Sequence, residues 1–363
     1  MQRFPRFPCL PSELRIQIWQ ETRPRPGIHA FNVCIPSHAN YPQISQAQYE
    51  PRTAENESEP LSGVFFDQIT VPQAKNLVLP SRPHINTSST EQNLQCDAKS
   101  DPSSDPSAYL VTDSVRQSCP EALSSLEIQP VSNTRNINES NNSVHLPARG
   151  HDKRIWYDNT SDVLLLQFSR PISLNMGMLD PNGGAEDDYT RVFKSWLSDI
   201  FLYPWSSEFT STLLNARRVA IDVAEIETEM SPLSSIFREI IYQEVQCLSY
   251  WLQNDLEVLY VVDRCVGRCR GCRKGGLDIS SLTAQAKRGL SKRLEHHVVE
   301  RESDVFYGNG VTFREIFALE SLGWSEKSPT FVVLSMFAEA IQEHQGKQAC
   351  FQGVRVLACQ ETG

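Results

Sequence analysis

The segment LEVLYVVD, residues 256–263, sets Val258, Tyr260 and Val262 on one face of an extended chain and Leu259 and Val261 on the other. A strand that is apolar on both faces has to be covered twice, which places it inside an α/β layer. The surrounding residues alternate in the same sense. VFKSWLSDIFLYPW (192–205) reads as helix and RRVAIDV (217–223) as strand. SPLSSIFREIIYQEVQCLSYWL (231–252) reads as a long helix, with Ser231 as N-cap and Pro232 in its first turn. SSLTAQAKRGLSKRLEHH (280–297) reads as a basic helix, TFVVLSMFAEAIQEH (330–344) as a core helix and GVRVLAC (353–359) as a closing strand, and GNG at 308–310 marks a turn. RRVAID and EVLYVVD are two similar units, each a strand ending in aspartate. This pattern predicts an α+β fold in which a small mixed sheet packs with helices, with residues 186–363 forming a helix/strand region.

The first half reads differently. Residues 37–60, 81–106 and 132–150 are rich in Ser, Asn, Gln and Pro and too poor in apolar groups to offset chain entropy, so they are expected to be inserts outside the core. Between them, GVFFDQITV (63–71) and NLVLP (76–80) suggest short strands, and YLVTDSVRQSCPEALSSLEI (109–128) suggests a helix carrying Leu110, Val115, Cys119 and Leu123. RIWYDNTSDVLLLQF (154–168) reads as two strands around a DNTSD turn. The opening residues MQRFPRFPCLPSELR carry arginines without an apolar run behind them, so they do not read as a secretory signal. VLLLQF and LEVLYVV fall far short of the roughly 20 apolar residues of a spanning helix. The expectation is an intracellular protein, cytoplasmic or nuclear, with no membrane partner and with its 10 cysteines reduced. A net charge of −10 argues against general nucleic-acid binding, which rests on neutralising phosphates.

At the N-terminus, Phe4, Phe7 and Leu10 lead into a helix that starts at Pro11 or Ser12 and ends before Pro24 and Pro26. Leu14 and Ile18 share a face, with Trp19 beside them. So many apolar groups must pack on something, and the reading favoured here is packing inside the protein's own core, with a partner's groove as the alternative. Glu13 lies in the first turn, where a carboxylate suits the helix dipole, and Arg15 and Arg116 are expected in structural ion pairs rather than in catalysis.

The stretch FPRFPCLPSELRIQIW, residues 4–19, resembles the opening of the two-EXR-motif domain, a family found mostly in fungal proteins of unknown function. Glu13-Leu14-Arg15 stands as the first motif. The second, an ESR within a helix, corresponds to VTDSVRQSCPEAL, where Arg116 matches the arginine and Ser114 replaces the glutamate. WYDNTSDVLLL (156–166), with Trp156 and Tyr157, fits the family's aromatic-rich closing strand. The resemblance covers residues 1–168, and VVDRC and VFYGNGVTF further on are similar to segments found C-terminal to the domain in such proteins. The LPxEL helix also looks like the start of an F-box. That likeness implies a helix docked on a protein partner.

One motif suggests chemistry of another kind. DRCVGRCRGCRK (263–274) holds Cys265, Cys269 and Cys272 among four arginines and a lysine. The spacing matches an iron–sulfur loop of the radical type, but the 91 residues beyond it (363 − 272) are too few for that fold. Structural zinc needs a fourth ligand, for which His296 or His297 stands nearest and Cys34, Cys350 or Cys359 are alternatives. A phosphate clamp would use the basic residues, yet no aromatic is interleaved for base stacking. A surface loop with reduced thiols and no metal is the favoured reading. Neither a nucleophile elbow nor a phosphate loop nor an HExxH pair is present. The chain therefore reads as a non-enzymatic interaction or scaffold protein with a protein partner and no cofactor. The alternatives are a zinc-stabilised or thiol-reactive protein and an enzyme with its site in the C-terminal α/β region.

Overall fold

A computed structural model describes residues 10–21, 26–34, 63–69, 105–117, 141–146, 153–168, 204–223, 235–252, 254–267, 273–296, 301–346 and 349–361. In chain order its elements begin with α1 (Ser12–Glu21), β1 (Ile28–Cys34), β2 (Phe65–Gln68) and α2 (Ala108–Arg116). A hairpin of β3 (Asn141–Leu146) and β4 (Lys153–Asp158) comes next, then β5 (Val163–Phe168), α3 (Ser207–Leu214), β6 (Arg218–Asp222), α4 (Ser235–Leu252) and β7 (Val258–Asp263). The remainder is α5 (Ile279–Leu282), β8 (Val305–Tyr307), β9 (Val311–Ile316), α6 (Pro329–Gln345) and β10 (Gly353–Glu361), with short 3-10 turns between α5 and α6.

Eight strands form one mixed sheet in the order β2-β1-β5-β6-β7-β10-β9-β8, larger than the small sheet the sequence pattern suggested. The five central strands run parallel, and β2, β9 and β8 are antiparallel at the edges. β7 is buried at every position, as its two-sided pattern requires. The steps β5 to β6, β6 to β7 and β7 to β10 all advance the same way, so right-handed crossovers put their helices on one face. There Leu213, Leu248 and Phe337 join Val219, Leu259 and Val356 in one apolar core. The other face curls on itself. Tyr307 at the end of β8 bridges Gly27 ahead of β1, and its N–H donates to the Pro26 carbonyl at 2.9 Å. Ile28, Leu165, Tyr260, Phe306, Phe313 and Leu357 fill the inside of this curl. The first glycine of the GNG turn makes the closure possible: a Cβ at Gly308 would run into the Pro106 carbonyl.

Three expectations are corrected. Residues 141–146 fall in the insert predicted over 132–150 but form β3, because Val144 and Leu146 alternate onto the core face and buried Asn142 is satisfied by Tyr157 and the Thr212 carbonyl. Asp105 and Pro106, at the end of the 81–106 segment, belong to the fold. The basic helix predicted over 280–297 is broken into α5 and two 3-10 turns. The break centres on Gly289, where the Glu320 carboxylate fills the space of a side chain and accepts the Leu290 N–H at 2.7 Å. Residues 192–203, 231–234 and 76–80 lie outside the described residues.

Candidate functional site

The cysteine loop leaves the sheet where ligands usually bind in open α/β folds, at the carboxyl ends of the parallel strands. β6 and β7 are neighbours in register and both end in aspartate, as their similar sequences suggest. Asp222 pairs with Arg264 at 2.8 Å, and fully buried Asp263 pairs with Lys274 at 3.0 Å. Asp263 also accepts the Cys265 N–H at 2.9 Å, and Gly267 N–H donates to the Lys274 carbonyl at 3.0 Å. Two of the basic groups read as a possible phosphate clamp are thus neutralised by strand-end carboxylates. Cys269 and Cys272 lie outside the described residues.

The register decides against His296 as a fourth metal ligand. Its neighbour Glu295 bridges Gly353, which pairs with Val258 at the start of β7, whereas Cys265 lies beyond the end of that strand. Five strand residues, about 16 Å, separate the two levels. The His296 ring instead contacts the Ala338 carbonyl at 3.0 Å and packs on Phe351. Cys350 sits at that same far end, against the Leu256 carbonyl. Cys359 is on the near rim, one residue past the pairing of Ala358 with Asp263. Among the described residues no group of three or more His, Cys, Asp or Glu side chains could hold a metal ion.

Two polar clusters were not legible as sites. The first surrounds His29, whose Nε2 lies 3.3 Å from Asp162. Asp162 also accepts the N–H groups of Gly27 at 2.7 Å and Asp158 at 3.0 Å. Burial opposes the charged form of Asp162, but the His29 contact and these N–H groups outweigh it and hold the carboxyl below the usual range. Nearby Asp105 accepts from Ser107 N–H and Tyr109 hydroxyl, and burial pushes its pKa up. Ser107 hydroxyl in turn bonds both the N–H and the carbonyl of Ala30 at 2.9 Å, so the cluster ties α2 to β1.

The second cluster lies at the amino ends of β7 and β10. Arg301 forks onto both oxygens of buried Glu315 and reaches Glu295 at 3.1 Å. Asp304 takes Tyr260 hydroxyl at 2.7 Å and Arg355 at 2.5 Å, and Arg288 lies 3.5 Å from Glu295 and over Phe317. Burial pushes Glu315 up, while Asp304 is held low against burial by Arg355, Tyr260 and Arg301. Three arginines and three carboxylates balance. Both clusters bind parts of the fold to one another.

The N-terminal motif is a helix over Ser12–Glu21, as predicted, and its aliphatic side chains are only partly covered. Leu14 is 47 % exposed, Ile16 37 % and Ile18 38 %, whereas Arg15 and Trp19, four residues apart, are the partly buried pair. Leu10, Leu14, Gln17, Ile18 and Glu21 line an open groove of about 510 Å³. Glu13 is exposed, and Phe4 and Phe7 lie outside the described residues. In α2, Ser114 is exposed and its hydroxyl bonds back to the Leu110 carbonyl at 2.8 Å; of Arg116 the structure describes the backbone. Tyr157 is buried and Trp156, on the opposite face of β4, is exposed. The structure does not bring the N-terminal motif, the cysteine loop and Trp156 together into one described pocket. No described helix is long and apolar enough to cross a membrane. Set against protein-family models, curated proteins and solved structures, the chain matches none.

Proposed function

We propose that this is a non-enzymatic interaction protein that docks a protein partner on α1. One observation carries the reading: Leu14 and Ile18, one turn apart, are 47 % and 38 % exposed and, among the described residues, line an open groove together with Leu10, Gln17 and Glu21. Two large aliphatic side chains on one helical stripe favour burial by roughly 25 cal/mol for each Å² of apolar surface removed from water. An apolar groove on a partner supplies that burial in the helix-in-groove mode. The resemblance to an F-box opening points the same way. The charge clusters around Asp162 and Arg301 support a scaffold rather than a catalyst, because their groups are engaged with each other.

The test uses the full chain with a photo-crosslinking residue at position 14 and the double variant Leu14→Asp/Ile18→Asp. The variant is expected to melt within about 0.5 kcal/mol of the parent, as surface changes do. A crosslinked protein identified with the parent, and shown with purified components to bind it, should no longer bind the variant. A loss of about 2–5 kcal/mol in stability would instead show that the stripe is internal. Unchanged binding would remove α1 from the interface.

A further inference from the structure

We infer that the outer edge of β4 takes up an extended acidic peptide of a partner as a third strand of the β3–β4 hairpin. The register pairs Ser143 with Trp156, His145 with Arg154 and Asn141 with Asp158. The main-chain groups of Ser143 turn away from β4: its N–H donates to Asn142 Oδ1 at 2.8 Å and its carbonyl accepts from Thr212 hydroxyl at 2.8 Å. Ser143 and Trp156 are therefore a non-hydrogen-bonded pair, and so are the pairs two residues to either side. In such pairs both residues point their N–H and carbonyl groups outward. Asp158 fits this assignment, since its N–H is capped by Asp162 at 3.0 Å.

The two edges of the hairpin then differ. α3 and Asn142 close the β3 side at Ser143. On the β4 side, the outward N–H and carbonyl groups of Arg154 and Trp156 have no partner among the described residues. Four main-chain groups in line are a template for an added strand of about five residues.

The side chains at these two positions select the occupant. Trp156 is 49 % exposed, and the Arg154 guanidinium lies over its ring at 5.8 Å. Arg154 makes no ion pair within the described residues, while its neighbour Lys153 is held by Asp113 at 2.6 Å. His145 stands across the strand from Arg154 on the same face. Glu208 is near enough for His145 and Arg154 to help its own N–H and Ser207 hold its carboxyl low, but it bonds Ser207 hydroxyl rather than Arg154. Residues opposite each other on adjacent strands lie about 5 Å apart. The incoming peptide thus presents a carboxylate opposite Arg154 and, two residues away, an apolar side chain opposite Trp156. Tryptophan and arginine are also the residues that most often carry binding energy at interfaces. A second copy of this chain fits less well, because pairing through its own β4, KRIWYD, would bring Lys153 and Arg154 to an edge that already carries Arg154.

The experiment uses the full chain and two blocked six-residue peptides of alternating threonine. One carries glutamate and valine on its other face; the second has lysine in place of glutamate. Hydrogen exchange followed by mass spectrometry reads residues 153–158 and 141–146 separately. The glutamate peptide is expected to slow exchange in 153–158 and leave 141–146 unchanged. Arg154→Glu should reverse the preference, so that the lysine peptide binds about tenfold more tightly than the glutamate peptide. Trp156→Ala should remove protection by both, while its melting stays that of the parent. The inference fails if neither peptide slows exchange, or if Arg154→Glu leaves the order of the two unchanged. It also fails if 153–158 becomes protected with rising protein concentration alone and the sedimenting mass doubles, since the edge then belongs to a second copy.

Discussion

Arg301 is the residue whose removal should cost the fold most among the charged groups. Its guanidinium bonds both oxygens of Glu315 and one of Glu295, and each carboxylate side chain is almost wholly shielded from water, at 2 % and 3 % exposure. Burial works against the Arg301 charge, but Glu315, Asp304 and Glu295 together raise its pKa. Arg301→Leu leaves two arginines, Arg288 and Arg355, to face three carboxylates, and Glu315 loses its fork. Breaking a buried pair from one side costs about 3–5 kcal/mol, because a charge stays in low dielectric without its partner. Replacing both members by apolar groups is often neutral. The double variant Arg301→Leu/Glu315→Leu restores a two-to-two balance and should regain most of the loss. Urea denaturation monitored by circular dichroism measures both. A single variant within about 0.5 kcal/mol of the parent, or a double variant less stable than the single, would refute the view that these charges exist for one another.

Closure of the curl is tested at Gly308. Gly308→Ala should destabilise by about 1–3 kcal/mol as backbone atoms of Pro106 are pushed aside, whereas Gly310→Asn, at a φ of 70° in open space, should cost less than about 1 kcal/mol, both read from thermal melts. Asp162 should make the fold less stable in acid. Its folded pKa is lowered, so its contribution is complete above the unfolded value near 4 and is lost as pH falls through the folded value; Asp162→Asn should flatten that part of the stability-against-pH curve. The cysteine loop should carry no structural metal: purified protein is expected to hold less than one zinc per chain and to melt unchanged in chelator. One zinc per chain, lost with the fold in Cys269→Ser, would reverse that expectation.

Periodicity made some elements legible in the sequence, and long-range pairing hid the others. β7, β10 and α6 were readable because their burial is dense enough to mark the chain locally. β3 was not, since NNSVHL carries two aliphatic residues and its core-facing Asn142 is acceptable only because Tyr157 and Thr212 reach it. β1 escaped as well: IHAFNVC alternates imperfectly, and His29 is buried only because Asp162, from a turn 133 residues away, stands beside it. α1 shows the converse case. Its helical spacing was plain, yet which side turns inward depends on the surface it meets, and the partly buried pair is Arg15 and Trp19 rather than Leu14 and Ile18.

The site questions turned on the same distinction. Cysteine spacing announced a possible metal loop, but the number of ligands within reach depends on register. Parallel pairing of β7 with β10 places Cys265 and His296 at opposite ends of the strands, although only 31 residues (296 − 265) separate them in sequence. The edge of β4 depends on register in the opposite sense. The tryptophan of WYD looked like a family hallmark. Its significance comes from Ser143, 13 residues upstream (156 − 143), whose bonds to Asn142 and Thr212 fix which groups of Trp156 point outward. A pattern of residue types nominates such a strand; the hydrogen bonds of its neighbour decide whether its edge is open.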